Sequence, residues 1–206
     1  MNQLERNKSI LEKYIPLAAV DIIAQWIFTF DFKFKIKRGR SSKYGDYRPP
    51  IKGLNHQITV NQDLNKYAFL ITLVHEIAHL TCFNKFKERA APHGEEWKNE
   101  YKQLMKHFLH EGVFPADVIL ALQAYMSDPA ASSCSDLRLQ RVLKKHDTIP
   151  KGIHLEELPY NSLFKIKGDR YFIKGEKLRK RYKCMEHGTN RFYLFSPVSE
   201  VEPASL

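Results

Sequence analysis

One octapeptide constrains this chain more than any other stretch. Leu73-Val74-His75-Glu76-Ile77-Ala78-His79-Leu80 sets an H-E-x-x-H pattern inside an apolar run of helical character. Residues four apart in a helix stand one above the other on the same face, so His75 and His79 can each turn an imidazole nitrogen toward one metal ion. Glu76 lies one position round from His75. Its carboxylate therefore sits beside such an ion instead of on it, where it can take a proton from a metal-activated water. Upstream, His56 to Asn61 alternates polar and apolar as a half-buried strand does. Asn61 or Asp63 is placed to cap the helix that follows through Leu64, Phe69, Leu70 and Leu73. Downstream, Pro92-His93-Gly94-Glu95-Glu96-Trp97 brings a histidine fourteen residues after His79. A catalytic zinc takes three protein ligands and keeps one position open, and His93 would complete that set. Glu95 and Glu96 compete for the place, since a carboxylate also ligates zinc. Gly94 gives the backbone room to approach the ion, and Trp97 supplies a packing anchor one turn on.

His75-Glu76-x-x-His79, then His93-Gly94-x-x-Trp97, preceded by a strand ending in Asn61, resembles the SprT-like metalloproteases, the group that includes bacterial SprT and eukaryotic Spartan. The resemblance covers roughly Phe32 to Leu109. It implies a zincin-type fold, one catalytic Zn²⁺ held by His75, His79 and His93, Glu76 as general base, and action on proteins bound to DNA. It selects His93 over Glu95 and Glu96 as third ligand. In related metalloproteases the stretch Gly39 to Pro50 lies near the substrate cleft, often with a Trp-Gly pair where this chain has Tyr44-Gly45; the roles of Tyr44 and Tyr47 stay open.

The expected fold class is α+β: a zincin-like domain of helices on a small antiparallel sheet over residues 1–127, a linker with a short helix over 128–147, and a basic all-β sheet or barrel over 148–206. With 206 residues and 43% apolar content, the chain can bury one good core and a small second one. Leu4 to Tyr14 reads as a partly amphipathic helix, and Pro16 suits the first turn of a second one reaching Ile27. Phe32 to Lys37 alternates strictly as a sheet strand, and Gly39 to Pro50 reads as a loop or irregular hairpin. Glu95 to His110 and the stretch from Phe114 to Met126 read as helices. Asp128 to Ser133 reads as a linker, and Leu137 to Lys145 as a short basic helix. Beyond Thr148, Leu163–Lys167, Arg170–Ile173, Leu178–Met185 and Arg191–Phe195 read as short strands.

Cys82, Cys134 and Cys184 are too few and too scattered for a disulfide framework, so a reducing cytoplasm is the expected compartment. Cys82 reads as a buried apolar side chain. Cys184-x-x-His187 is a single pair where a zinc ribbon needs two, so no structural zinc is expected in the tail. The N-terminal run from Leu17 to Phe30, broken by Asp21 and Gln25, is too short to span a bilayer, and no membrane association is expected.

The formal charge of +10 is concentrated. Lys33 to Lys52 carries eight Lys or Arg against one acid, and Lys165 to Arg191 ten against three. Interleaved with Tyr171, Phe172, Tyr182 and Phe192, these cations suit a backbone-tracking nucleic-acid surface, with rings for exposed bases. The candidate contacts are Lys33, Lys35, Lys37, Arg38, Arg40, Lys43 and Arg48, then Lys174, Lys177, Arg179, Lys180, Arg181 and Lys183. A solvated strand face whose lysines block aggregation accounts for the same pattern. The reading is a zinc-dependent endopeptidase of SprT-like type acting on DNA-bound or DNA-crosslinked proteins, with DNA, single-stranded or junction-containing, as partner and activator. Two alternatives stay open: a DNA-binding or transcription-related protein with an idle or structural zinc site, and a zinc peptidase unrelated to nucleic acid.

Overall fold

The computed structural model describes residues 2–40, 43–51, 53–130, 136–148, 152–166 and 168–205. They form two compact units, Met1–Asp147 and Thr148–Leu206.

The first unit is built around one helix. Helices α1 (Gln3–Leu11) and α2 (Leu17–Thr29) precede strands β1 (Lys33–Lys37), β2 (Gly45–Arg48) and β3 (Gln57–Asn61). Then come α3 (Lys66–Phe86), α4 (Glu95–Met105), α5 (Ala116–Met126) and α6 (Leu137–Lys144). Helix α3 runs for 21 residues, and every residue from Ala68 to Ala78 is buried. A helix that is apolar all round has no solvent face and must be wrapped by the rest of the unit. Asn65 caps it, its Oδ1 accepting the N–H groups of Tyr67 (3.1 Å) and Ala68 (2.9 Å). The cap is therefore neither Asn61 nor Asp63: Asn61 is consumed by the sheet, where its side chain binds the carbonyls of Arg40 and Lys43. Lys87, at a positive φ of 54°, ends the helix. Around it pack Tyr14, stacked on Phe69 at 5.2 Å, and the fully buried Trp97, Tyr101, Phe108 and Phe114. Burying a ring such as Phe69 contributes about 2 kcal/mol.

The sheet expected to be antiparallel is mixed, in the order β1-β3-β2. β1 pairs with β3 in parallel and β2 pairs with β3 antiparallel. The chain passes from β1 to the far edge as β2, then returns into the middle as β3. That central place explains why Ile58, Thr59, Val60 and Asn61 are all buried. β2 lies inside the stretch expected as a loop or irregular hairpin, and α4 ends five residues short of His110. Segment 128–147, expected as a linker, contributes α6 to the first core through buried Leu139 and Leu143. Residues 131–135, including Cys134, lie outside the described residues.

The second unit is a six-stranded sheet in the order β4-β9-β5-β6-β7-β8, with all pairs antiparallel. Its strands are β4 (Ile153–His154), β5 (Leu163–Ile166), β6 (Arg170–Ile173), β7 (Tyr182–Glu186), β8 (Phe192–Phe195) and β9 (Glu200–Pro203). Two were not foreseen, β4 and β9, and β7 begins four residues later than Leu178. Phe164, Phe172, Cys184, Leu155 and Val201 form its core. Among the described residues, no helix is long and apolar enough to cross a membrane.

Candidate metal centre

Three histidines meet where α3 passes the start of α4. His75 and His79 stand one turn apart on α3 with ring centroids 5.1 Å apart. His93 arrives from the loop before α4, its centroid 5.3 Å from His75 and 4.5 Å from His79. One ligand nitrogen from each lies within 4.8 Å of the others, an arrangement that can hold a metal ion. His93 itself adopts the left-handed conformation, φ 58°. A non-glycine residue there costs about 1–2 kcal/mol, and such strain concentrates at functional sites. Gly94, expected to supply backbone freedom, instead takes an extended conformation as the N-cap of α4. Trp97 closes the cluster from α4, its ring 4.7 Å from His75 and 4.7 Å from His93.

The donor chemistry fits an ion. His75 Nδ1 and His93 Nε2 are buried with no hydrogen-bond partner among the described residues. Burial, reinforced by the neighbouring histidines, holds His75 well below its usual pKa. Burial and His93 bring His79 down to about 3, and burial lowers His93. The imidazoles are thus neutral, the protonation state that ligates metals.

Glu76 is 7% exposed, beside the triad and not part of it. Burial above all, then the charge of Asp46, raises its carboxyl to about 8, against the opposing influence of Lys43, Arg40 and the backbone N–H of Tyr47, which binds it. The space for the carboxylate comes from β2: a Cβ at Gly45 would stand 2.4 Å from Glu76 Oε1 and 2.8 Å from Thr72 Cγ2.

Sequence reasoning left the role of Tyr47 open and read His56 only as the start of a strand. Tyr47 lines this site, and His56 stands behind it. The Tyr47 ring lies parallel to His79 (6.1 Å, 6°), and its hydroxyl is 2.9 Å from His56 Nδ1. The tyrosine-glycine pair standing where the resemblance has Trp-Gly was the signal for Gly45. Tyr44 reaches the other way, its hydroxyl on Gln140 of α6 at 3.4 Å.

The candidate nucleic-acid contacts do not form one class. Lys33, Lys35 and Lys37 share a face of β1, and Arg38 is exposed just after it. Arg40 lies over the sheet, bonded to Asn61 (2.9 Å) and Thr59 (3.1 Å). Lys43 and Arg48 both pair with Asp46, at 2.6 and 3.0 Å. In the second unit Lys174 is buried, its Nζ donating to the carbonyls of Glu156 and Leu158 over the Tyr182 ring. Lys177 also faces Tyr182, and Lys183 lies 4.4 Å over Phe192. Arg179, Lys180 and Arg181 are exposed in a tight turn closed by the Leu178 N–H on the Arg181 carbonyl (2.7 Å).

No curated protein and no solved structure matches the chain. Residues 23–118 match the model of the SprT-like family, a span that holds all three strands of the first sheet, His75, Glu76, His79, His93 and Trp97. With that match over the residues that build the centre, residues 23–118 of this chain form a SprT-like segment.

Proposed function

We propose that this chain is a zinc-dependent endopeptidase with a zincin-type first unit, acting on proteins bound or crosslinked to DNA, with DNA as activator, in the cytoplasm. The observation that carries the peptidase reading is the convergence of three neutral imidazoles within 4.8 Å, beside a buried carboxyl. His75, His79 and His93 would hold the ion. When bound, Zn²⁺ supplies Lewis acidity toward a water and a peptide carbonyl. Glu76, ionised beside a bound ion's charge, can take a proton from the water and return it to the leaving amine. β2 is an edge strand of the sheet and runs past Glu76, so an extended substrate can pair with it through its backbone. Such pairing reads little side-chain detail, and the exposed cations of both units are the source of selectivity through DNA.

A zinc peptidase without a nucleic-acid role is the second reading. It is favoured by the engagement of Arg40, Lys43, Arg48 and Lys174 with protein groups. The test of both is cleavage of a DNA-binding protein by the zinc-loaded chain, with and without single-stranded DNA, and with Glu76→Gln as control. Cleavage that needs Glu76 and DNA supports the first reading. Cleavage unchanged by DNA and by salt supports the second, and cleavage retained in Glu76→Gln overturns both.

A further inference from the structure

β1 is the other edge of the first sheet, on the side away from β2. The Lys33 N–H bonds the His56 carbonyl and the Gln62 N–H bonds the Lys37 carbonyl, both at 2.8 Å, so the odd-numbered residues turn their backbone groups toward β3. By strand alternation, the N–H and C=O of Phe34 and Ile36 face outward, where no strand of the described residues pairs with them. Along this edge runs a groove of about 790 Å³, apolar at Ile10 of α1, Phe28 of α2, Phe34 and Ile36 and polar at Asn7 and Asp31. Its volume is in the range of real binding sites, roughly 300–1,000 Å³. Ile10 is 46% exposed and Phe28 67%. The opposite face of the same strand carries Lys33, Lys35 and Lys37. Partial desolvation and the charges of Lys33, Lys37 and Arg48 hold Lys35 below the usual lysine value, the signature of an uncompensated basic row.

A second copy of this lysine row shows the kind of strand that can face it. The tetrapeptide Phe34-Lys35-Ile36-Lys37 recurs as Phe164-Lys165-Ile166-Lys167, whose first three residues lie in β5. In β5 both edges are paired, one by β6 and the other by β9. β9 reads Glu200-Val201-Glu202-Pro203, with Val201 buried and Glu202 directly across from Lys165, which also pairs with Asp169 at 2.6 Å. β9 lies on the side to which Leu163 turns its carbonyl, the side that β3 takes in β1, so what β5 illustrates is the facing of a lysine by a glutamate on a neighbouring strand and not the edge itself.

We propose that β1 docks an extended segment of a partner protein in which acidic residues alternate with apolar ones, added to the sheet as a fourth strand. Backbone groups of the segment bond Phe34 and Ile36, its apolar side chains enter the groove against Phe28 and Ile10, and its carboxylates stand across from the lysines. A second copy of this chain is a poor occupant, because pairing β1 with β1 sets like charges opposite one another. Nucleic acid uses the lysines but leaves the groove and the strand edge unfilled. Since β1 and β2 lie at opposite edges, docking here stands apart from chemistry at the metal centre.

The test uses the full chain and a fluorescein-labelled peptide of about ten residues, a full strand length, alternating Glu with Val. Expected are saturable binding that weakens with salt and new hydrogen-exchange protection at the amides of Phe34 and Ile36. Reversing Lys33, Lys35 and Lys37 to Glu weakens binding about tenfold or more, and creates binding for the peptide with Lys in place of Glu. Phe28→Ser, at an exposed position outside the strand, weakens it about fivefold without perturbing the fold. Equal binding of both peptides to the native chain overturns the proposal, as does protection on another strand. It is equally overturned if the chain dimerises through β1, or if DNA protects these lysines while neither peptide binds.

Discussion

Gly45 and Glu76 divide a space that only one side chain can fill. A Cβ on Gly45 would lie 2.4 Å from Glu76 Oε1 and 2.8 Å from its Cγ, so the strand reaches the metal helix only because residue 45 has no side chain. Gly45→Ala must therefore displace the carboxylate. We expect kcat/KM for peptide cleavage to fall about a hundredfold, as misplacement of a reacting group by about 1 Å can do. Overpacking should also cost about 1–3 kcal/mol of stability. Zinc content measured on the same sample should not change, because the histidines are untouched. Native turnover in Gly45→Ala would show that Glu76 does not act from its present position.

The metal-free chain should be most stable near neutrality and lose stability on both sides. His75, His79 and His93 are held below their ordinary values by burial, so the unfolded chain binds more protons than the folded one. Their contribution is complete above about pH 6.5 and is lost as the pH falls through and below that value. Glu76 has the opposite sign. Its carboxyl is raised to about 8, so its contribution is full below the unfolded carboxyl value and is lost as the pH rises toward 8. Denaturant titrations in chelator, from pH 5 to 9, should trace a maximum near pH 6.5. In Glu76→Gln the decline on the alkaline side should vanish while the acid limb stays.

Asn65 ties the metal helix to the end of α6. Its Oδ1 caps α3, and its Nδ2 donates to the Leu143 carbonyl (2.8 Å) and to Asp147 Oδ1 (2.7 Å). Asn65→Ala removes the cap, about 1 kcal/mol, and strands a carbonyl acceptor, about 1 kcal/mol more. A loss of about 2 kcal/mol in chemical denaturation, without loss of zinc at ambient temperature, is the expected result. A loss below a few tenths would mean that solvent replaces both functions.

If the second unit contacts single-stranded DNA, the turn at Arg179, Lys180 and Arg181 should carry the salt dependence. Replacing all three with Gln should reduce the slope of log K against log salt by about 2. Lys174→Gln should leave that slope alone and instead destabilise the second unit by about 1–3 kcal/mol, since it leaves two carbonyls unsatisfied. The reverse pattern would place the DNA contact elsewhere.

The metal helix was legible because its signal is local: two histidines one turn apart in an apolar run, with the next donor a short loop away. β2 was not, since Gly45-Asp46-Tyr47-Arg48 is short and polar and becomes a strand only through its ladder with β3. The parallel pairing of β1 with β3 depends on where β2 is placed between them in the chain, which no residue pattern encodes. Three polar residues, Asn61, Asp63 and Asn65, could each have capped α3, and tertiary bonds to Asn61 removed one of them from the choice. Lys174 was misread for want of parity. It lies two residues from buried Phe172, so strand alternation already turns it toward the interior.

The three histidines are not held with equal firmness. His75 and His79 ride on the largely buried helix α3, whereas His93 is a loop residue in a left-handed conformation. An ion shared among them would leave stepwise, the His93 arm releasing first by local opening while the other two donors stay fixed. Its exchange rate would then follow the mobility of a few residues between α3 and α4, on a timescale far shorter than that of global unfolding.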